Sequence, residues 1–387
     1  MKNEFNGERL RLARTFRNYT ISDFAKKIEV TKQAVLQYEK GDIKPKPQTE
    51  FNIITSLNFP KEFFYQNEFE NIRIENTFFR ALSSTKKIDM QTQETKTLFI
   101  VIIYNFLKQY FKLPQLNIPT IDFEDYNEHI EEIAKNARKY WNLGNEPINN
   151  MVSLLEKNGI IVSTLNVNNK KIDAFTQAHV INGEEQYCVI LSNDKQSSAR
   201  RNFDAAHELG HILLHNRNIK NIEDLTDEES KELEKEANNF AASFLLPKEA
   251  FLKDLKFPKA LEHYKELKIK WRVSIASMIM RARQLEQITN EEYMELMKQM
   301  SFKRWRTNEP LDNEWKLQEV VLFRKCIDML KNYDVLSSSE FVRKLSDYGL
   351  TMHSMDLEEL LDLTSGTLSE KYEDNIFITD KFKKLIM

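Results

Sequence analysis

At 387 residues the chain is longer than one hydrophobic core ordinarily organises, so two or three domains are expected. Hydrophobic residues at 41% and charged residues at 30%, with only 8 Gly and 9 Pro, exclude a mainly disordered or linker-rich protein. The formal net charge of -3 argues against whole-molecule affinity for nucleic acid, but residues 1–60 hold 11 Lys and Arg against 7 Asp and Glu, so any DNA binding belongs to that end. Cys188 and Cys326 lie far apart and match no metal-ligand spacing, which points to buried thiols in a reducing cytoplasm. The first ten residues lack the apolar core of a secretion signal, and the longest apolar run, Leu98 to Ile103, is too short to cross a bilayer. A cytoplasmic protein with no membrane role is the expectation.

From Gly7 to about Tyr65, Leu10, Ala13, Phe16, Phe24, Ala25, Ile28, Val35, Leu36 and Tyr38 recur at three-to-four-residue spacing, which predicts short helices packed as an all-α domain over 1–66. Within it, Thr20 and Thr31 suit helix N-caps, Asp23 sits three positions into the first helix and Gly41 suits the close of the second. This layout resembles helix-turn-helix proteins of the Xre or phage-repressor type, with Ala25, Val35 and Tyr38 at its packing positions. Glu29 stands where that pattern commonly has Gly, and a left-handed backbone there would be strained. The resemblance implies that the second helix enters the major groove of a double-stranded DNA operator with Lys32, Gln33 and Gln37 at base edges. Arg9, Thr31, Lys40 and Lys44 would hold phosphates, and a homodimer reading two half-sites fits the type. The same fold also serves protein contact alone.

Residues 67–122 predict a helical connector, with one long helix from Met90 to Phe111 ending before Pro114. Over 123–300, helices are expected from Phe123 to Trp141 and Asn149 to Lys157. Strands follow at Gly159 to Thr164, Asp173 to Thr176 and Tyr187 to Leu191, where β-branched and aromatic residues cluster. Two more helices follow, Arg200 to His215 and Thr226 to Leu246, the latter stopped by Pro247. Residues 301–387 read as a helical region of unassigned role, with amphipathic stretches at Ser337 to Tyr348 and Leu357 to Leu363. The basic and aromatic Phe302 to Arg306 fits a linker packed on the preceding domain better than a nucleic-acid contact.

His207-Glu208-Leu209-Gly210-His211 is an HExxH pattern. On a helix, residues four apart share a face one turn apart, so both imidazoles reach one ion while Glu208 reaches a water beside it. Phe203, Ala205, Ala206, Ile212 and Leu213 make the helix apolar, so histidines there need partners. A catalytic zinc takes three protein ligands and keeps one open position. Glu232, Glu234 and Glu236 on the next helix are candidates for the third, whereas His215 lies about 6 Å further along its own helix and reads as structural.

The stretch 125–295 resembles the ImmA/IrrE metallopeptidase family. The resemblance rests on Ala134 to Gly144, Pro147-Ile148, Leu155 to Ile160, Asp173-Ala174-Phe175, Ala206 to His211, Glu236-Ala237-Asn238, Leu245-Leu246-Pro247, Val273 to Ala276 and Arg281 to Leu285. It implies a mostly α chain with a small α+β zincin-like metallopeptidase domain between the helix-turn-helix domain and the C-terminal helical region. It further implies a gluzincin-like ligand set of His207, His211 and Glu236, with Glu208 as general base and Zn2+ as the metal, Mn2+ and Fe2+ being compatible with the same donors. The usual substrate of the family is a protein, typically a helix-turn-helix repressor cut in a stress, phage or mobile-element response. Asp204 departs from the family, which often has Thr there. The competing expectation is a non-proteolytic repressor or antitoxin-like regulator whose peptidase fold serves as a sensor.

Overall fold

A computed structural model of the chain describes residues 4–69, 72–79, 86–121, 129–165, 174–192, 197–216 and 225–369. Four short helices open it: α1 (Gly7–Phe16), α2 (Ile21–Lys27), α3 (Lys32–Lys40) and α4 (Pro47–Leu57). Asn6, Thr20 and Thr31 cap the first three by accepting from the amides of Glu8 and Arg9, of Asp23 and of Ala34, which satisfies N–H groups that a helix start leaves unpaired. Gly41 ends α3 at φ 75, and Glu29 in the turn between α2 and α3 adopts φ 59. The left-handed turn is therefore kept without glycine. A buried Arg14–Glu39 ion pair ties α1 to α3.

After a 3-10 turn at Lys61–Tyr65 comes a strand, β1 (Ile72–Phe79), so the connector expected to be helical is partly extended. Then follows α5 (Lys87–Leu107), apolar nearly all round from Leu98 to Leu107 and buried there. A helix apolar on every side must be enclosed on every side. The first domain covers it on one side, the sheet on another, and the C-terminal helices α14 (Leu322–Asn332), α15 (Ser338–Tyr348) and α16 (Ser354–Leu360) complete the same core.

The middle of the chain holds α6 (Ile130–Tyr140), α7 (Met151–Lys157), β2 (Ile161–Leu165), β3 (Ala174–Ile181) and β4 (Glu184–Ser192), then α8 (Ser198–Gly210) and α9 (Asp227–Leu245). The helix expected from Phe123 is seen from Ile130, because 122–128 lie outside the described residues, as does Asp173. The sheet order is β1-β3-β4-β2, with β3 antiparallel to both neighbours and β2 parallel to β4. Asn182-Gly183, at φ 51 and 85, closes the β3–β4 hairpin with a two-residue turn. Side chains alternate along a strand, so Phe175, Ile181, Cys188 and Ile190 face α5 while Ala174, Ala178, Tyr187, Val189 and Leu191 enter a second core with α8 and α9. That second core extends through α10 (Lys248–Asp254), α11 (Leu261–Trp271), α12 (Ile275–Gln284) and α13 (Asn290–Phe302). The fold is mostly helical with one small sheet. No helix of the described residues is long and apolar enough to cross a membrane.

Candidate metal centre

Ser197 caps α8 through the Arg200 amide, and the helix continues past Gly210 into a wider π-type turn, His211–His215. A side chain on Gly210 would bring a β-carbon 3.2 Å from Ala237 Cα and 3.2 Å from Phe240 Cδ1, so glycine lets α9 lie directly against the end of α8. A reciprocal capping box between Thr226 and Glu229 fixes where α9 begins. Asn238 of α9 meets His207, and Glu234, one turn earlier, lies between His207 and His211. The two helices thus run in opposite directions.

His207 Nε2 and His211 Nε2 face each other at 3.0 Å, and the two Glu234 carboxylate oxygens lie 3.4 Å from one nitrogen each. Among the described residues these three side chains form the one group whose donor atoms could hold a metal ion. Two metal–nitrogen bonds of about 2.0–2.1 Å at a tetrahedral angle set their nitrogens about 3.3 Å apart, so the pair needs to open by only about 0.3 Å. The donor set, two imidazoles and a carboxylate, is that of a divalent ion with one position left over.

The remaining nitrogens orient this pair. An amide oxygen only accepts, so the contact from His207 Nδ1 to Asn238 Oδ1, 3.1 Å, puts the ring proton on Nδ1 and turns the Nε2 lone pair to the centre. For His211, Nδ1 lies 2.9 Å from His215 Nδ1, and His215 Nε2 lies 3.0 Å from Glu236 Oε2. The Glu236 carboxylate accepts from His215, whose other nitrogen accepts from His211, so the same polarity is imposed there. Burial holds His215 at a pKa of about 4 against the opposing pull of Glu236, keeping it neutral as this chain of bonds requires. Burial would raise Glu234, but whenever the two rings carry a proton on Nε2 their hydrogen bonds and charge outweigh it and bring its pKa to about 2, so Glu234 stays a carboxylate beside the pair. Glu208 is fully buried beside them, and its Oε2 accepts from Thr176 Oγ1 of β3 at 2.7 Å.

Glu236, expected as the third ligand, is thus not brought to the histidine pair. Two residues along a helix turn the side chain by about 200°, so Glu234 and Glu236 cannot present to one point. Glu236 supports His211 through His215, and Glu234 stands at the pair. Sequence reasoning missed Asn238 and Thr176 as supports and passed over Glu234, although Glu234 and Asn238 are four apart and therefore share a face. Asp204 is buried one turn before His207's neighbour, 3.7 Å from Arg200 Nε.

At the other end of the chain, Thr31, Lys32, Gln33, Lys40 and Lys44 are exposed and Gln37 is half-buried. Thr31 Oγ1 accepts from the Ala34 amide, which leaves its O–H as a donor, and Lys44 pairs with Glu4 at 2.7 Å. Arg9 is the exception to the expected phosphate contacts. It is 1% exposed, its guanidinium bonded to the Asn67 and Gly349 carbonyls and lying 3.7 Å over the Phe69 ring. It points inward from α1 and clamps the first domain to the C-terminal helices. Burial lowers its pKa to about 9.

Residues 155–283 match the M78 peptidase family, described as the IrrE N-terminal-like domain, and residues 10–62 match a helix-turn-helix family. No curated protein matches the chain. Strand β1 and helices α13 to α16 lie outside both matched stretches. The chain therefore joins a helix-turn-helix domain at its N-terminus to an IrrE N-terminal-like peptidase domain in its middle.

Proposed function

We propose that the protein is a DNA-binding regulator with a metal-dependent endopeptidase site, in which His207, His211 and Glu234 hold a divalent ion and Glu208 is the general base. The observation that carries this reading is the meeting of two imidazoles and a carboxylate beside a buried second carboxylate. An ion held there, zinc by default for this donor set, would supply Lewis acidity, to polarise a peptide carbonyl and acidify water. Glu208 takes the proton and returns it to the departing amine, while Thr176 fixes one carboxylate oxygen so that the other faces the reacting atoms. Asn238 and His215 keep both imidazoles in the ligating tautomer.

At the N-terminus, Lys32, Gln33 and Gln37 of α3 read base edges in the major groove while Thr31, Lys40 and Lys44 hold phosphates, and two copies would read two half-sites. The substrate class is protein: a helix-turn-helix repressor bound nearby or a second copy of this chain.

Incubating the zinc-loaded chain with helix-turn-helix repressors, and alone, beside a Glu208→Gln variant tests this. The expected result is discrete fragments, with the variant retaining zinc and cutting about 100-fold to 10,000-fold more slowly. Equal rates would remove Glu208 from the mechanism. Zinc-loaded protein that shifts operator DNA and cuts nothing would favour the non-proteolytic regulator.

A further inference from the structure

Strand β1 belongs to neither matched family segment, yet it completes the peptidase sheet by pairing with the edge of β3. Its register places Thr77 opposite Gln177 and Phe78 opposite Thr176, the residue that holds Glu208. The Phe78 ring stacks on His211, with centroids 5.1 Å apart and planes at 22°, and comes within 6.1 Å of the His215 ring. Phe78 is 4% exposed, and His207, Glu208 and His211 are 0%, 0% and 2% exposed. Only Glu234 of this group keeps a partly exposed side chain, so with β1 in place little room is left for water and a peptide at Glu208.

An extended segment, antiparallel to the strand beside the centre and laying a side chain on a ligating imidazole, has the pose of a peptide bound by strand addition. The pairing is also interrupted, because the register shifts between Ile74 and Thr77. Such a bulge leaves backbone groups out of the ladder and makes β1 the easier strand to detach. Among the described residues the other outer strand, β2, is held by the C-terminal helices, its Ser163 and Thr164 hydroxyls bonding to Leu360 and Asp362 at the end of α16.

We propose that β1 holds the substrate's place, shutting the metal centre with Phe78 until it detaches and an extended peptide pairs with β3 instead. The inference rests on the endopeptidase reading but is testable apart from it. Arg73 and Val180 are directly opposed across β1 and β3, so Arg73→Cys with Val180→Cys allows the strand to be locked by oxidation and released by reduction. Wild type, Phe78→Ala and the double-cysteine chain are loaded with zinc. Two rates are then read: zinc loss to excess EDTA followed by a zinc-sensitive dye, and cleavage of unfolded casein.

The expected result is zinc loss at least about tenfold faster in Phe78→Ala than in wild type, at least about tenfold slower in the oxidised than in the reduced double-cysteine chain, and casein cleavage in the same order. Should Phe78→Ala fail to fold, the oxidised and reduced forms decide alone. Ordered zinc loss with no cleavage anywhere would uphold the closing strand and overturn the peptidase reading. Cleavage at one rate in all forms would uphold the peptidase and overturn the strand's role, and zinc loss at one rate in all forms would likewise overturn it.

Discussion

Glu234 and Glu236 stand two positions apart on α9 and reach different histidines, and the difference follows from the helix period alone. The HExxH residues were legible in the sequence because spacing and chemistry coincide on one helix. Which glutamate meets them was not, because three glutamates alternate along a charged run and only the rotation of α9 against α8 brings Glu234 to the pair. The Glu234–Asn238 spacing was the available signal. Asn238→Ala, which leaves the ligands intact but removes the acceptor for His207 Nδ1, should weaken zinc binding about 10-fold to 100-fold by competition titration. An unchanged affinity would mean that Asn238 does not orient the ring. Arg9 shows the opposite failure: a basic residue near a DNA-reading helix looks like a phosphate contact until its burial is known. Lys40→Ala should lower the slope of log affinity against log salt by about 0.9, and Arg9→Met should leave that slope alone while lowering stability.

Helix starts were legible to within a residue or two where a capping side chain announces them, as at Thr20, Thr31, Thr226 and Ser337. Strand β1 was not legible, because its bulge breaks the alternation of apolar and polar residues after Ile74 and no Gly or Pro frames it. The turn between α2 and α3 kept its left-handed residue despite Glu29, so surrounding packing overrides local preference there. Relieving that strain costs glycine's extra chain entropy, and Glu29→Gly should still gain about 0.5–1 kcal/mol, measurable as a raised urea midpoint. A lowered midpoint would show that Glu29 earns its place by a contact. Gly210→Val should instead destabilise the chain by about 1–3 kcal/mol by driving α9 off α8, and should weaken zinc binding with it, since α9 carries Glu234. Separate movement of the two readouts would contradict that coupling.

The cores do not follow the order of the chain: α14, α15 and α16 share one hydrophobic cluster with the N-terminal helices and α5. Arg17 reaches across to Asp356 with two bonds of 2.6 and 2.7 Å. Sequence pattern showed that these C-terminal segments are helical and amphipathic but could not say what their apolar faces cover, since partners remote in sequence leave no periodic trace. The same shared core contains an acid-sensitive point. His179 of β3 is 1% exposed with no hydrogen-bond partner at either ring nitrogen among the described residues, and burial lowers its pKa to about 3. Below its unfolded value of about 6.5 the unfolded chain takes up a proton that the fold refuses, so stability falls as pH drops from about 6.5 towards 3. His179→Met should remove that loss and move the acid-unfolding midpoint to lower pH, and an unmoved midpoint would place the sensitivity elsewhere.

The proposed chemistry depends on which side chains would gather around a metal ion. Zinc content per chain after exhaustive dialysis, compared for wild type, Glu234→Ala and Glu236→Ala, tests this most directly. We predict about one zinc in wild type, a comparable content in Glu236→Ala and almost none in Glu234→Ala. Full occupancy in Glu234→Ala, with loss confined to Glu236→Ala, would contradict the centre as described.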